Sequence, residues 1–191
     1  MNAWDDESIA DLAAGASREL ADIVSRVPSG AVDEASSMIG GAHRIALYGV
    51  GREGLMLRAL AMRLYHLGLD AHVVGEMTTP PVASDDLLIV SAGPGYFATV
   101  SALMDVARDA GACVLLFTSL SDAPLASAAD YVVRLPAQTM AVSEGASDGV
   151  LPMGSAYEGA QFLFFEILVR ALADRLGSDE QAMRERHTNL E

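Results

Sequence analysis

The chain has 191 residues, with 12 basic against 26 acidic side chains, a formal net charge of -14 at pH 7, and 51% hydrophobic residues. That length and apolar content suit one α/β domain able to bury about 70% of its unfolded surface, and they exclude an intrinsically disordered chain. All 12 basic residues are Arg and none is Lys, which excludes Schiff-base and P-loop lysine chemistry, and the acidic surplus without a basic stripe argues against a nucleic-acid partner.

The opening residues Met1-Asn2-Ala3-Trp4-Asp5-Asp6 have neither the basic end nor the apolar stretch of a secretory signal. No apolar run approaches the roughly 20 residues that cross a bilayer, so a soluble, cytoplasmic protein without a membrane partner is expected. From Glu7 to Val27, Ile9, Leu12, Leu20, Ile23 and Val24 recur at three- and four-residue steps, which predicts an amphipathic helix ended by Pro28-Ser29-Gly30. A second short helix through Val32 and Met38 leads to Gly40-Gly41.

The pattern then changes to short apolar runs at Arg44 to Tyr48, Ala71 to Val74, Leu87 to Val90, Cys113 to Phe117 and Tyr131 to Leu135. Continuous runs of this kind suit parallel strands covered on both faces. Helical stretches lie between them at Glu53 to Leu67, Phe97 to Ala110 and, briefly, Pro124 to Ala129. The alternation predicts a doubly wound, five-stranded parallel sheet in a three-layer α/β/α sandwich of flavodoxin-like topology. Cys113, the single cysteine, falls in an apolar run and is expected in the core; it can form neither a disulfide nor a thiolate metal site within one chain.

Pro136 to Pro152, rich in Ser, Gly, Asp and Ala, reads as a loop over the site. The last long helix, about Ser155 to Leu176, carries Phe162, Leu163, Phe164, Phe165, Ile167, Leu168 and Val169 nearly all round its circumference. A helix apolar on every face is buried on more than one side, and Glu53 to Leu67 has the same character. Helix-on-helix packing into a homodimer or homotetramer follows. The expected organisation is a single domain over 1–191: N-terminal helices at 1–42, a parallel core at 43–135, a loop at 136–153, and a C-terminal helix and tail at 154–191.

Ligands of open parallel sheets bind beyond the carboxyl ends of strands, which directs attention to the loops after the first and third strands. The first reads Gly49-Val50-Gly51-Arg52-Glu53-Gly54 and enters a helix. Glycines there permit close approach of a ligand, and a helix N-terminus offers N–H groups to an anion. The same spacing also describes a tight strand-to-helix turn, and with Glu76 near the end of the second strand it is compatible with a dinucleotide site.

The segments Ala61-Met62-Arg63-Leu64-Tyr65-His66-Leu67-Gly68-Leu69, Val73-Val74-Gly75-Glu76 and Thr79-Pro80 closely resemble the 6-phospho-3-hexuloisomerases of the sugar isomerase (SIS) domain family. Two further stretches, Pro152-Met153-Gly154-Ser155-Ala156-Tyr157-Glu158 and Arg186-His187-Thr188-Asn189-Leu190-Glu191, are similar to that family's entry into its last helix and to its tail. The resemblance covers nearly the whole chain from Gly49 onward. It implies dimers or tetramers with active sites at subunit contacts, ketose phosphate substrates, no cofactor and no metal. It also implies Glu158 as the catalytic carboxylate and His66 as the catalytic histidine.

Moving a carbonyl by one carbon requires a base that carries a proton between adjacent carbons through an enediol, which a partly buried glutamate does well. A neutral histidine can open the ring or move a proton between oxygens. Each residue also has a structural reading: Ser155-x-x-Glu158 is a capping box, and a lone histidine on an apolar helix is often a hydrogen-bonded core residue.

The expected substrate-binding set is Gly49, Gly51, Arg52, Glu53, Ser91, Gly93, Gly95, Tyr96 and Thr99. Here the chain departs from the family. The third-strand loop is Ser91-Ala92-Gly93-Pro94-Gly95-Tyr96-Phe97-Ala98-Thr99, where the family has a loop of the type Ser-Gly-Ser-Gly-Glu-Thr that holds the sugar phosphate. Glu53 replaces a serine of the first loop, putting a carboxylate where a dianion would approach, at a cost on the order of 4 kcal/mol per charge pair at an intermediate dielectric. Tyr96 offers a flat surface on which an unphosphorylated sugar could stack. The leading expectation is a phosphosugar isomerase; the alternative is a SIS-type module that binds a sugar derivative without turnover.

Overall fold

The computed structural model describes residues 6–139, 149–152 and 154–190. Part of the expected 136–153 loop, Met153 of the Pro152-Met153-Gly154 motif, the first five residues and Glu191 lie outside the described residues.

Two helices, α1 (Asp6–Ser25) and α2 (Ser29–Gly41), precede β1 (Ile45–Gly49), α3 (Gly51–His66) and β2 (Ala71–Val73). Then come β3 (Leu87–Ser91), α4 (Ala98–Asp109), β4 (Cys113–Thr118), a 3-10 turn (Ala126–Ala128), β5 (Tyr131–Arg134), α5 (Ser155–Leu176) and α6 (Glu180–Glu185). The five strands form one parallel sheet in the order β2-β1-β3-β4-β5. This is the expected flavodoxin-like order, with the direction of winding reversing between β1 and β3.

Alternation along the strands divides the core into two layers. Ile45, Leu47, Leu87, Ile89, Leu115, Phe117 and Val133 face α2, α3 and α5, meeting Ile39, Leu57, Leu64, Phe164 and Leu168. Ala46, Leu88, Val90, Val114 and Leu116 face α4 through Val100, Met104 and Ala107. α5 packs on α1, α2 and α3, which accounts for its apolar circumference: it sits in the middle of a helical layer. Part of that circumference stays uncovered, with Phe162 51% and Ile167 41% exposed.

Cys113 corrects an expectation, because it is exposed. It is the first residue of β4, and burial of that strand begins at Val114. Helix α6 was not foreseen; it is six residues long and starts where the Asp179 side chain accepts a hydrogen bond from Ala182 N at 2.8 Å.

Candidate active site

The reversal of winding leaves a crevice at the carboxyl ends of β1 and β3, where Gly49 and Ser91 are in register. Two glycines shape its floor. A Cβ on Gly54 would lie 2.3 Å from the Gly49 carbonyl oxygen, and one on Gly49 would lie 2.9 Å from Gly54 N. Only a glycine pair lets α3 pack this tightly against the end of its own strand. Gly51 enters the helix at φ +60, and no side chain caps the first turn of α3. The N-terminus of this 16-residue helix therefore borders the crevice, where the helix dipole favours an anion.

Glu53 is not the free charge expected from the sequence. It is buried, and its Oε2 accepts from Ser91 Oγ at 2.5 Å and from Gly93 N at 2.9 Å. Ser91 in turn accepts from Gln161 Nε2 at 2.8 Å and lies 3.2 Å from the Tyr157 hydroxyl. One carboxyl thus ties α3, the β3 loop and α5 together. Gly93 has no room for a side chain, since a Cβ would meet the Tyr157 ring at 2.8 Å and Glu53 Oε1 at 2.9 Å. Burial raises the Glu53 carboxyl above its ordinary value, aided by the nearby Glu158 charge and opposed by the bonds from Ser91 and Gly93.

A raised folded-state value means that the native chain holds more protons than the unfolded one above the ordinary carboxylate range. Stability from this group therefore falls as pH rises through that window. Glu53→Gln keeps an acceptor for Ser91 and Gly93 without the charge. We expect it to melt a few degrees above the wild type at pH 8, at about 2–4 °C per kcal/mol for a chain of this size, and to lose part of the alkaline decline. Melting below the wild type at pH 8 in calorimetry would contradict the burial argument.

Glu158 stands in the first turn of α5. The capping-box reading is corrected: Gly154, in the left-handed region, is the N-cap in place of Ser155, and it supplies no side-chain cap bond. Ser155 Oγ instead accepts from Arg52 Nη1 at 2.8 Å, while Arg52 Nη2 pairs with Glu158 Oε1 at 3.3 Å. The other carboxylate oxygen, Oε2, is buried and has no hydrogen-bond partner. Burial pushes the Glu158 carboxyl above its ordinary value, with its own backbone N–H and the Arg52 charge pulling it back.

Val50, Gly51, Arg52, Glu53, Pro94, Phe97, Thr139, Tyr157 and Glu158 enclose a cavity of about 360 Å³, within the range of small-molecule sites. Of the expected binding residues, Gly51, Arg52 and Glu53 line it, and Ser91 and Gly93 support its wall through Glu53. Tyr96 and Thr99 are exposed and do not line it. The flat apolar wall comes from Phe97 and Pro94, which corrects the expectation for Tyr96. Gly49 and Gly95 have packing roles: a Cβ on Gly95 would lie 2.7 Å from Leu120 Cδ1. Thr139 and Tyr157 were not foreseen as lining residues. The available signal was the position of Thr139 just past the carboxyl end of β5, where ligands of parallel sheets gather.

His66 is not in this cavity. It is the last residue of α3, buried, its ring stacked on that of His187 with centroids 5.1 Å apart, and its carbonyl accepts from Arg186 Nη1 at 3.1 Å. Arg52, beside Glu158, lies 14 residues earlier on the same helix, about 21 Å away at ~1.5 Å per residue. Within one chain Glu158 and His66 therefore lie apart, and the expected pairing requires His66 of a neighbouring subunit. Glu76, the residue compatible with a dinucleotide site, is exposed and pairs with Arg58 at 3.4 Å.

A doubly wound sheet with a carboxylate, an arginine and a helix N-terminus around a crevice at the winding reversal defines a small-molecule site of the α/β class. Residues 38–160 match the SIS domain model, and the chain belongs to the SIS domain family. It is 36% identical over 173 residues to a 3-hexulose-6-phosphate isomerase of Mycobacterium gastri, covering 91% of this chain and 86% of that one. With the enzyme of the same name from Bacillus subtilis it shares 34% identity over 159 residues, or 83% and 86% of the two chains. Its fold superimposes with a TM-score of 0.82 and 28% identity on a hypothetical protein from Methanococcus jannaschii, covering 95% and 99% of the two chains. For that protein, a molecular function of 3-hexulose-6-phosphate isomerase has been inferred from its crystal structure. Among the described residues, no helix is long and apolar enough to cross a membrane.

Proposed function

We propose that the chain is a cofactor-free isomerase of sugar phosphates that moves a carbonyl between adjacent carbons, with the interconversion of a 3-hexulose 6-phosphate and fructose 6-phosphate as the leading reaction. The observation that carries this reading is Glu158: one carboxylate oxygen is held by Arg52 while the other, buried and unpartnered, belongs to a residue on the cavity wall. Burial raises its pKa, bringing a carboxylate nearer the basicity that carbon deprotonation needs.

Glu158 takes the proton from the carbon bearing a hydroxyl while the neighbouring carbonyl oxygen gains one. The enediol so formed loses a hydroxyl proton from the other oxygen and recovers a carbon-bound proton at the former carbonyl carbon. One proton has moved between the two carbons and one between the two oxygens, with no net oxidation of the molecule, so the chemistry calls for no redox partner. The N-terminus of α3 and Arg52 suit the phosphate end of the substrate, and Phe97 with Pro94 suits its C–H face.

His66 enters this reading only from a second copy. Leu55, Met62 and Tyr65 of α3 and Phe162 of α5, 57%, 51%, 56% and 51% exposed, supply an apolar surface for the helix-on-helix homo-oligomer we propose. The exposed single cysteine suits a reducing, cytoplasmic setting.

The test is incubation with fructose 6-phosphate, followed by carbon NMR. A second ketose phosphate of unchanged mass is expected, and no conversion across a panel of pentulose and hexulose phosphates would refute the reading. A sensing module without turnover is the second reading. It is favoured by Glu53, which already accepts the Ser91 hydroxyl and Gly93 N–H that would otherwise be free to hold a phosphate.

A further inference from the structure

Thr139 is 5% exposed, and its Oγ1 is buried without a hydrogen-bond partner. A valine has the same shape and would avoid the folding free energy lost by burying an unpaired hydroxyl. The residue follows β5, past Leu135 N, which bonds to Thr118 O at 2.8 Å, and reaches the cavity wall opposite no polar side chain that satisfies it. Glu158 lines the same cavity and also has a buried oxygen, Oε2, without a partner. Two residues of one cavity wall thus each carry a buried, unsatisfied polar atom beside the apolar groups of Val50, Pro94 and Phe97, a combination that suits a ligand carrying hydroxyl groups on a hydrocarbon chain.

We propose that Thr139 is a substrate-binding residue that selects a polyhydroxylated chain: its hydroxyl pairs with a hydroxyl of the ligand, while Glu158 Oε2 accepts from, or deprotonates, a neighbouring position. The assignment rests on the isomerase reading for the identity of the ligand, but its hydrogen bond exists whether or not turnover follows. Unlike Glu53 and Ser91, which face each other, Thr139 has no structural bond to lose when it is altered.

The experiment measures binding of glucitol 6-phosphate, which has no carbonyl and cannot be isomerised, by calorimetry to the wild-type chain, Thr139→Val and Thr139→Ser. Thr139→Val is expected to weaken binding about tenfold while its melting temperature stays equal to that of the wild type or rises; Thr139→Ser is expected to restore most of the affinity. Equal affinity in Thr139→Val and wild type would overturn the proposal, as would a loss of melting temperature in Thr139→Val that Thr139→Ser repairs without any change in affinity. Absence of glucitol 6-phosphate binding by the wild type would overturn it too. Tight, Thr139-dependent binding in a chain that converts no phosphosugar would leave this proposal standing and remove the isomerase reading.

Discussion

Glu158→Gln is expected to lower kcat for phosphosugar isomerisation by about 100- to 10,000-fold, the usual contribution of a positioned general base, with KM nearly unchanged. The amide fills the same volume and can still accept from Arg52 through its carbonyl oxygen, so the cavity keeps its shape. What it loses is the basic oxygen at Oε2, which is buried and has no hydrogen-bond partner in the chain. Because the wild-type carboxyl is raised by burial, kcat/KM should fall toward acid pH from a point above the ordinary carboxylate range. Steady-state kinetics of the two proteins between pH 4 and 8, where Gln has no such titration, provides the check. A variant that retained wild-type kcat would assign the proton transfer to another group.

Gly54→Ala should be severely damaging for a single added methyl. The added Cβ would sit 2.3 Å from the Gly49 carbonyl oxygen, a backbone atom that cannot swing away, so β1 and α3 must separate. We expect a cost of about 3 kcal/mol or more, a fall in melting temperature of roughly 10 °C, and loss of activity, because the same separation moves Arg52 away from Glu158. Gly51→Ala makes the contrast: nothing lies within 4 Å of its Cβ, and its only penalty is the positive φ, about 1–2 kcal/mol. Thermal melts of both variants distinguish a glycine motif used for helix-on-strand packing from one used for ligand approach. Equal melting temperatures would contradict the packing role.

The strands were legible because parallel strands covered on both faces are continuous apolar runs, and Leu87-Leu88-Ile89-Val90 or Val114-Leu115-Leu116-Phe117 have few other readings. The burial of α5 was legible for the same reason, as a helix apolar all round has to be packed on several sides. What sequence reasoning could not supply was direction. Glu53 reads as a charge beside a phosphate loop, but its carboxyl turns inward to Ser91 and Gly93, a choice settled by tertiary contacts 38 and 40 residues away. His66 and Glu158 were joined by motif and chemistry, whereas α3 runs away from the cavity and carries His66 to its far end. Thr139 was hidden because a single hydroxyl after β5 has no spacing pattern; its lack of a bonding partner appears only once its surroundings are packed.

The most direct test of a proton-transferring Glu158 is exchange of carbon-bound hydrogen with solvent. The chain is incubated with fructose 6-phosphate in deuterated water and each carbon is followed by NMR. We expect deuterium at C3, the carbon that gives up its proton when the carbonyl moves from C2, and no such exchange in Glu158→Gln. No deuterium at any carbon with the wild-type chain, or exchange that persists undiminished in Glu158→Gln, would contradict the account.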